Sequence, residues 1–389
     1  MNGSSQRAAR VRHPSDKLVE HVCETAFSPF RRRRQREWGE VYVKGLLTTA
    51  GRKSIRSIAS SAGMSSAEQN LHHFITNSTW DWKEVRRELA RYADNAVAPV
   101  AWVVDPLVIQ KAGEHSVGVR RTFVPGLGKT VQRQYVLGVW IASEKASVPV
   151  EWHMVLPDKW TSSESRRKVG TPGKACPSRS DCLREAIEEL SRWGLRQRPV
   201  VMDAREVDPL PLIGKLAASS VPFLLRIRED TRLADLESGR LMAAAQLAEL
   251  HKGASRPLLP AGSGAPRTPV CGLGLRVGAA GPVRTGPLLM AAQWTADPRA
   301  ATMIWLTNMV DTPIPMLLGL GRALHWVRAD RETCSRVGMR DFEGRSFPGW
   351  HRHMTLVSVA HTIAVLTRTG QQRQQWTRRT EARLGQLVH

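Results

Sequence analysis

The chain of 389 residues is short of acidic side chains, of cysteine and of long apolar runs, and each shortage narrows what it can be. Its 35 Asp and Glu stand against 57 Lys and Arg, a formal charge of +22. A surface so basic gains free energy by releasing counterions from a polyanion, which makes nucleic acid the first partner to consider. The five cysteines, Cys23, Cys176, Cys182, Cys271 and Cys334, are odd in number and contain no C-x-x-C pair. Neither a zinc framework nor a secreted disulfide scaffold follows from them, although Cys176 and Cys182 lie near enough in sequence to bridge, and a reducing cytoplasm is the expected compartment. The longest apolar stretch, "TLVSVAHTIAVL" from Thr355, is too short to cross a bilayer. The opening "MNGSSQRAARVRHPSDK" lacks the apolar centre of a signal peptide.

What is present is arginine, spread along the chain. Its planar fork suits phosphate and stacks on bases, so a folded nucleic-acid surface fits; the arginine bias of a high-GC genome is the alternative. Residues 1–35 read as a basic flexible lead ending in Arg31, Arg32, Arg33 and Arg34. Residues 36–98 read as helical, and "SIRSIASSAGMSSAEQNLHHFI" within them has a helix-turn-helix look, with Gly63 in the turn and Ser65 or Ser66 as a cap. From Ala101 the texture changes to strands: "AWVVDPLVI", "TVQRQYVLGVWIASE" and "SVPVEWHMVLP", the last two forming a hairpin. A helix, the short strand "PVVMDA", a second helix and the strand "PFLLRIRE" follow, which predicts a mixed α/β sheet over 99–231. Residues 232–307, rich in Gly, Pro and Ala, read as a β-rich insertion, and 308–389 as a C-terminal helical part completing the core.

Two of the strands end on a carboxylate. Asp105 and Asp203 close apolar runs separated by a hairpin and a helix. Aspartate is an ordinary turn residue after a strand. Two carboxylates brought side by side are also what two divalent cations need for phosphoryl transfer, with a third acid from a later helix. "GLGKT" from Gly126 is no P-loop, because Phe123 stands where the first glycine belongs and a strand follows in place of a helix. His351, His353 and His361 have no evident metal partners and read as satisfied or exposed side chains. Most of the 13 tryptophans, Trp80, Trp82, Trp160, Trp326 and Trp350 among them, read as core, with one or two able to stack on a splayed base.

The stretch "GEHSVGVRRTFVPGLGKTVQRQYVLGVWIASEKASVPVEWHMVLPDKW", with "FITNSTWDWKEVRREL" upstream and "RDFEGRSFPGWHRHMTLVSVAH" downstream, resembles the DDE-type transposases of bacterial insertion sequences. The resemblance covers most of residues 38–365. It implies a ribonuclease-H-like core with a β-rich insertion, and cut-and-paste transposition of double-stranded DNA using two Mg²⁺ ions, for which Mn²⁺ substitutes. It also implies a homodimer on DNA and a place in the bacterial cytoplasm, at the nucleoid. Asp105 and Asp203 match the first and second catalytic aspartates. For the third acid, His325, Arg328 and Glu332 follow the family spacing Tyr-x2-Arg-x3-Glu, which assigns Glu332, with Asp330 as its rival. Counting back from "VGMRDFEGRS" instead places the glutamate position near Val327 or Ala329. Departures stand beside both aspartates: Pro106, Leu107 and Val108 replace Asp-Thr-Gly, and Arg205, Glu206 and Val207 replace Gly-Tyr-Gly. Lys129, Arg166, Arg167, Lys168, Arg345 and Arg352 join Arg31 to Arg34 as expected phosphate contacts. A catalytically inactive, transposase-derived DNA-binding protein is the alternative that these departures favour.

Overall fold

The computed structural model describes residues 14–386, apart from 64–66, 125–127, parts of 161–168, 172–178, 259–269, 280–285 and 295–302, and without the side chains of 371–386. It opens with five helices: α1 (Asp16–Ala26), α2 (Arg33–Thr48), α3 (Ile55–Ser61), α4 (Glu68–Thr76) and α5 (Trp82–Val97). The expected flexible lead is therefore helical from Asp16. Val19, Val22, Cys23 and Ala26 recur at helical spacing and are buried, and Ser15 caps the helix by accepting from the Leu18 N–H. Arg33 and Arg34 begin α2. Helices α3 and α4 are joined through Gly63, whose φ of +66° is the left-handed turn a glycine permits, while Ser65 and Ser66 fall outside the described residues.

The sheet follows: β1 (Ala101–Lys111), β2 (Arg120–Val124), β3 (Lys129–Ala142) and β4 (Ser147–Val155), then α6 (Arg179–Arg192), β5 (Val200–Asp203), α7 (Pro209–Ala218) and β6 (Phe223–Ile227). Strand β3 pairs antiparallel with β1, β2 and β4, whereas β5 lies parallel to both β1 and β6. The later elements are β7 (Arg232–Asp235), β8 (Leu241–Ala243), α8 (Ala244–Leu250), β9 (Arg256–Leu258), β10 (Val270–Ala279), β11 (Leu288–Trp294) and β12 (Met303–Thr307). They extend the same sheet, because β12 adds antiparallel to β6 and β11 and β10 continue outward. Helices α9 (Ile314–Gly321), α10 (Ala323–Arg336) and α11 (Phe347–Gln386) complete the chain.

The alternation of side chains along β1 divides the core in two. Val103 and Leu107 face a cluster built with α1 to α4, α10 and α11, whereas Trp102 and Val104 face one built with α6, α7 and α8. The first cluster joins the N-terminal helices to the sheet, and a buried cation fastens them. Arg86 of α5, wholly buried, donates to Glu151 of β4, to Thr355 Oγ1 at 2.8 Å, and to the carbonyl and Nδ1 of His351 at 3.1 Å. The named tryptophans belong to the fold: Trp80 donates to the Phe74 carbonyl, Trp160 to that of Val119, Trp82 stacks on His351, and Trp350 is buried. Cys23, Cys182 and Cys334 are buried free thiols, and Cys176 lies outside the described residues.

Candidate functional site

The parallel register of β1 and β5 sets Val104 level with Met202. One residue further, the strands carry Asp105 and Asp203 side by side on the face that meets α10. Strand β1 does not stop there; it runs on to Lys111, with Pro106 opposite Leu137 of β3. A proline is tolerated because β5 ends at Asp203, so that beyond it β1 has one neighbour fewer to bond.

What α10 presents to these carboxylates is arginine. Arg331 Nη1 donates to both oxygens of Asp105, at 3.1 and 3.3 Å. Arg328, three residues earlier and so on the same side of the helix, donates to Asp203 Oδ2 at 2.8 Å. Arg205 closes on Asp203 with a two-pronged grip, Nε to Oδ1 at 2.9 Å and Nη2 to Oδ2 at 2.8 Å. The residue that departs from Gly-Tyr-Gly is thus itself a partner of the second aspartate. Arg226 of β6 lies level with Asp203 in the adjoining strand. Burial pushes the Asp105 carboxyl above its ordinary range, against the pull of Arg331. Burial would raise Asp203 too, but the Arg205 hydrogen bond and charge outweigh it and hold that carboxyl below its usual value. Arg226 is lowered by burial and by the neighbouring Arg205.

The third acid does not complete this arrangement. Glu332 is exposed, and the contacts to Asp105 and Asp203 come from Arg331 and Arg328. Asp330 lies on the buried face of α10, where it accepts from the Ser147 N–H at 2.7 Å and pairs with Arg368 at 2.7 Å. Helical phase turns Asp330 away from the side that Arg328 and Arg331 share, whereas Glu332, one turn after Arg328, lies at the edge of that side and is exposed. Two divalent cations require hard oxygen ligands from several side chains. Among the described residues no group of three or more Asp, Glu, His or Cys side chains could hold a metal ion. The two carboxylates that stand together are already neutralised by guanidinium groups, so these residues do not fit a two-metal centre.

The residues expected to contact phosphate divide. Arg31 to Arg34, Lys129, Arg167 and Arg345 are exposed; Arg166 and Lys168 lie outside the described residues. Arg352 is not available to DNA. It is buried, donates Nη1 to the carbonyls of Ile75 and Thr76 at 3.1 Å, and lies over the rings of Trp80 and Trp82. It satisfies the exposed carbonyls at the end of α4, a packing role that a count of basic residues cannot distinguish from phosphate binding. The acids of "RDFEGRS" are engaged from elsewhere, Glu343 by Arg52 at 3.0 Å and Asp341 by the Lys53 N–H at 2.9 Å. The site residues that sequence reading missed as partners of the aspartates are Arg205, Arg226, Arg328 and Arg331; the signal for Arg205 was its place in a motif otherwise made of small residues.

Residues 26–246 match the DDE superfamily endonuclease family, and the chain belongs to that family. The match contains Asp105, Asp203, Arg205 and Arg226 and ends before α10. Over 119 residues the chain is 29% identical to the "Probable transposase for insertion sequence element IS701" of Microchaete diplosiphon, a match covering 30% of this chain and 31% of that protein. The chain therefore spans less than a third of the length of this curated relative.

Proposed function

We propose that this chain is a transposase-derived DNA-binding protein that keeps the catalytic fold of its family and does not cut DNA by two-metal chemistry. The observation that carries the reading is the pairing of Arg331 with Asp105 and of Arg328 and Arg205 with Asp203. Where catalysis by the family calls for a carboxylate on α10, this chain supplies cations. The order β4-β3-β1-β5-β6, with the first three antiparallel and the last three parallel, supports a ribonuclease-H-like core over 99–231. In the same reading the helical region 36–98, the β-rich insertion 232–307 and the C-terminal helical part 308–389 surround that core. DNA would be gripped by the exposed Gln69, Asn70, His72 and His73 of α4, the second helix of the helix-turn-helix pair, and by Arg31 to Arg34. A homodimer on DNA and residence at the bacterial nucleoid belong to the same reading. No helix among the described residues is long and apolar enough to cross a membrane.

The side-by-side placement of Asp105 and Asp203 favours a second reading, an active Mg²⁺-dependent transposase in which the arginines leave the carboxylates when DNA binds. Incubation of the protein with DNA carrying the sequences that flank its gene, in Mg²⁺ or Mn²⁺, separates the two. Retarded but intact DNA is expected with either ion. Cleavage that disappears in both Asp105→Ala and Asp203→Ala would establish the active enzyme instead.

A further inference from the structure

The ends of β5 and β6, with the middle of β1 beside them, carry more positive charge than their carboxylates consume. Arg205, Arg226, Arg328 and Arg331 surround Asp105 and Asp203, four guanidinium groups to two carboxylates. Each guanidinium has five donors in a fixed plane. Asp203 takes two from Arg205 and one from Arg328, and Asp105 is served by Nη1 of Arg331 alone, so most donors of the cluster are unspent on these acids. Arg226 is half-buried and level with Asp203, whose charge attracts it at longer range than the hydrogen bonds Asp203 accepts from Arg205 and Arg328. With Arg205 and Arg228 it lines a cleft of about 380 Å³ that also holds Glu229, Asp230, Met303 and Ile304; Asp230 takes the fork of Arg228, which leaves Arg226 and Arg205 as the cations open to a ligand. Burial and repulsion by Arg205 and Arg328 outweigh the attraction of Asp203, so a second anion would relieve Arg226. The aspartates meanwhile fix the planes of the guanidinium groups beside it, which lowers the ordering cost of binding.

We propose that this cluster is a phosphate-binding site, in which arginines hold a backbone phosphate of DNA at the strand ends where the family's enzymes carry out chemistry. The inference rests on the reading of the chain as a DNA-binding protein without two-metal catalysis. Arginine matches the phosphate bidentately through its fork. Asp203 acts here as an internal counterion that competes with the phosphate for Arg205 and Arg328. That role has the opposite sign to a metal ligand's: removing the acid strengthens binding.

The test is DNA affinity, measured by fluorescence anisotropy of a labelled duplex over a salt series, for the full chain and three variants. Arg226→Gln is expected to weaken binding by roughly 3- to 10-fold and to reduce the slope of log affinity against log salt by about one. Arg226→Lys, which keeps the charge, should retain the slope, and thermal midpoints establish that each variant is folded. Asp203→Asn is expected to tighten binding by about 3-fold or more by the same electrostatic term, and this direction carries the test should Arg226→Gln fail to fold. An unchanged slope in Arg226→Gln, or weaker binding by Asp203→Asn, overturns the proposal. So does a result in which inorganic phosphate raises the thermal midpoint of the wild type but not of Arg226→Gln while DNA affinity is unaffected, since the site then serves free phosphate. Mg²⁺-dependent cleavage by the wild type would overturn the underlying reading; a non-cleaving protein with an unchanged slope overturns the phosphate site alone.

Discussion

At the scale of the residue, Asp105 shows how one partner decides what a carboxylate can do. It is about 10% exposed, within β1 where that strand passes the end of β5, and its opposite charge is supplied by Arg331. Arg331→Met would leave the acid buried beside hydrocarbon, where its charged form is disfavoured. A loss of about 1–3 kcal/mol at pH 7 is expected from the broken charge-assisted hydrogen bonds. The sign of its pH dependence follows. The carboxyl, with its folded pKa raised further above the unfolded value, is protonated more readily in the folded state, so the deficit relative to wild type shrinks as pH falls from 7 towards 4. Urea unfolding of both proteins at three pH values measures this, and a deficit that grows on acidification would contradict the assignment. The two aspartates were legible in the sequence because an apolar run ending in Asp is a local pattern. Their arginine partners were not: Arg205 lies two residues away with nothing to mark its direction, and Arg328 and Arg331 become neighbours of the strands only once the phase of α10 is fixed.

At the scale of the element, α11 gathers polar side chains whose partners a linear reading does not reveal. His351, His353 and His361 were expected to be satisfied or exposed, and all three are buried. His353 bonds to Tyr42 Oη and the Gly338 carbonyl at 2.9 Å, and His361 donates to the Ser147 carbonyl at 2.8 Å. These bonds join α11 to α2, to the end of α10 and to β4, so the long helix locks the N-terminal helices onto the sheet. Burial outweighs these hydrogen bonds and lowers both histidines to about 4. Their folded pKa thus lies below that of the unfolded chain, near 6.5, and the unfolded state binds the extra protons between the two values. Stability is expected to be flat in this contribution above pH 7 and to fall as pH drops from 6.5 towards 4, by up to ~1.4 kcal/mol per pH unit for each histidine. The midpoint of urea unfolding across that window reads it, and His361→Gln should flatten the slope. A wild type whose midpoint is level from pH 7 to 4.5 would show that these rings are not held neutral. The boundaries of most elements were legible from periodicity, including the helix, strand, helix, strand run after β4. Helix α1 lies where the charge of Arg31 to Arg34 suggests a flexible lead, because the apolar spacing of Val19, Val22 and Ala26 outweighs that charge.

At the scale of the molecule, the charge of +22 and the neutralised carboxylates together decide how magnesium acts on DNA binding. A protein that holds phosphates through arginine competes with every cation in solution, and a divalent ion competes strongly for the DNA. Mg²⁺ is therefore expected to weaken binding progressively at fixed monovalent salt. A family member with a working two-metal site behaves in the opposite way at low concentrations, since an ion shared between carboxylates and DNA adds contacts to the complex. Titration of Mg²⁺ into a preformed complex with a labelled duplex, followed by anisotropy, distinguishes these directions without requiring cleavage. Asp105→Ala supplies the control: with no metal held at Asp105, its Mg²⁺ response should fall in parallel with that of wild type. A rise in wild-type affinity at low Mg²⁺ that Asp105→Ala abolishes would mean that Arg331 yields its partner to the metal when DNA is present. The arginines would then be gatekeepers of an active centre and not its replacement, and the site would have to be reassigned to catalysis.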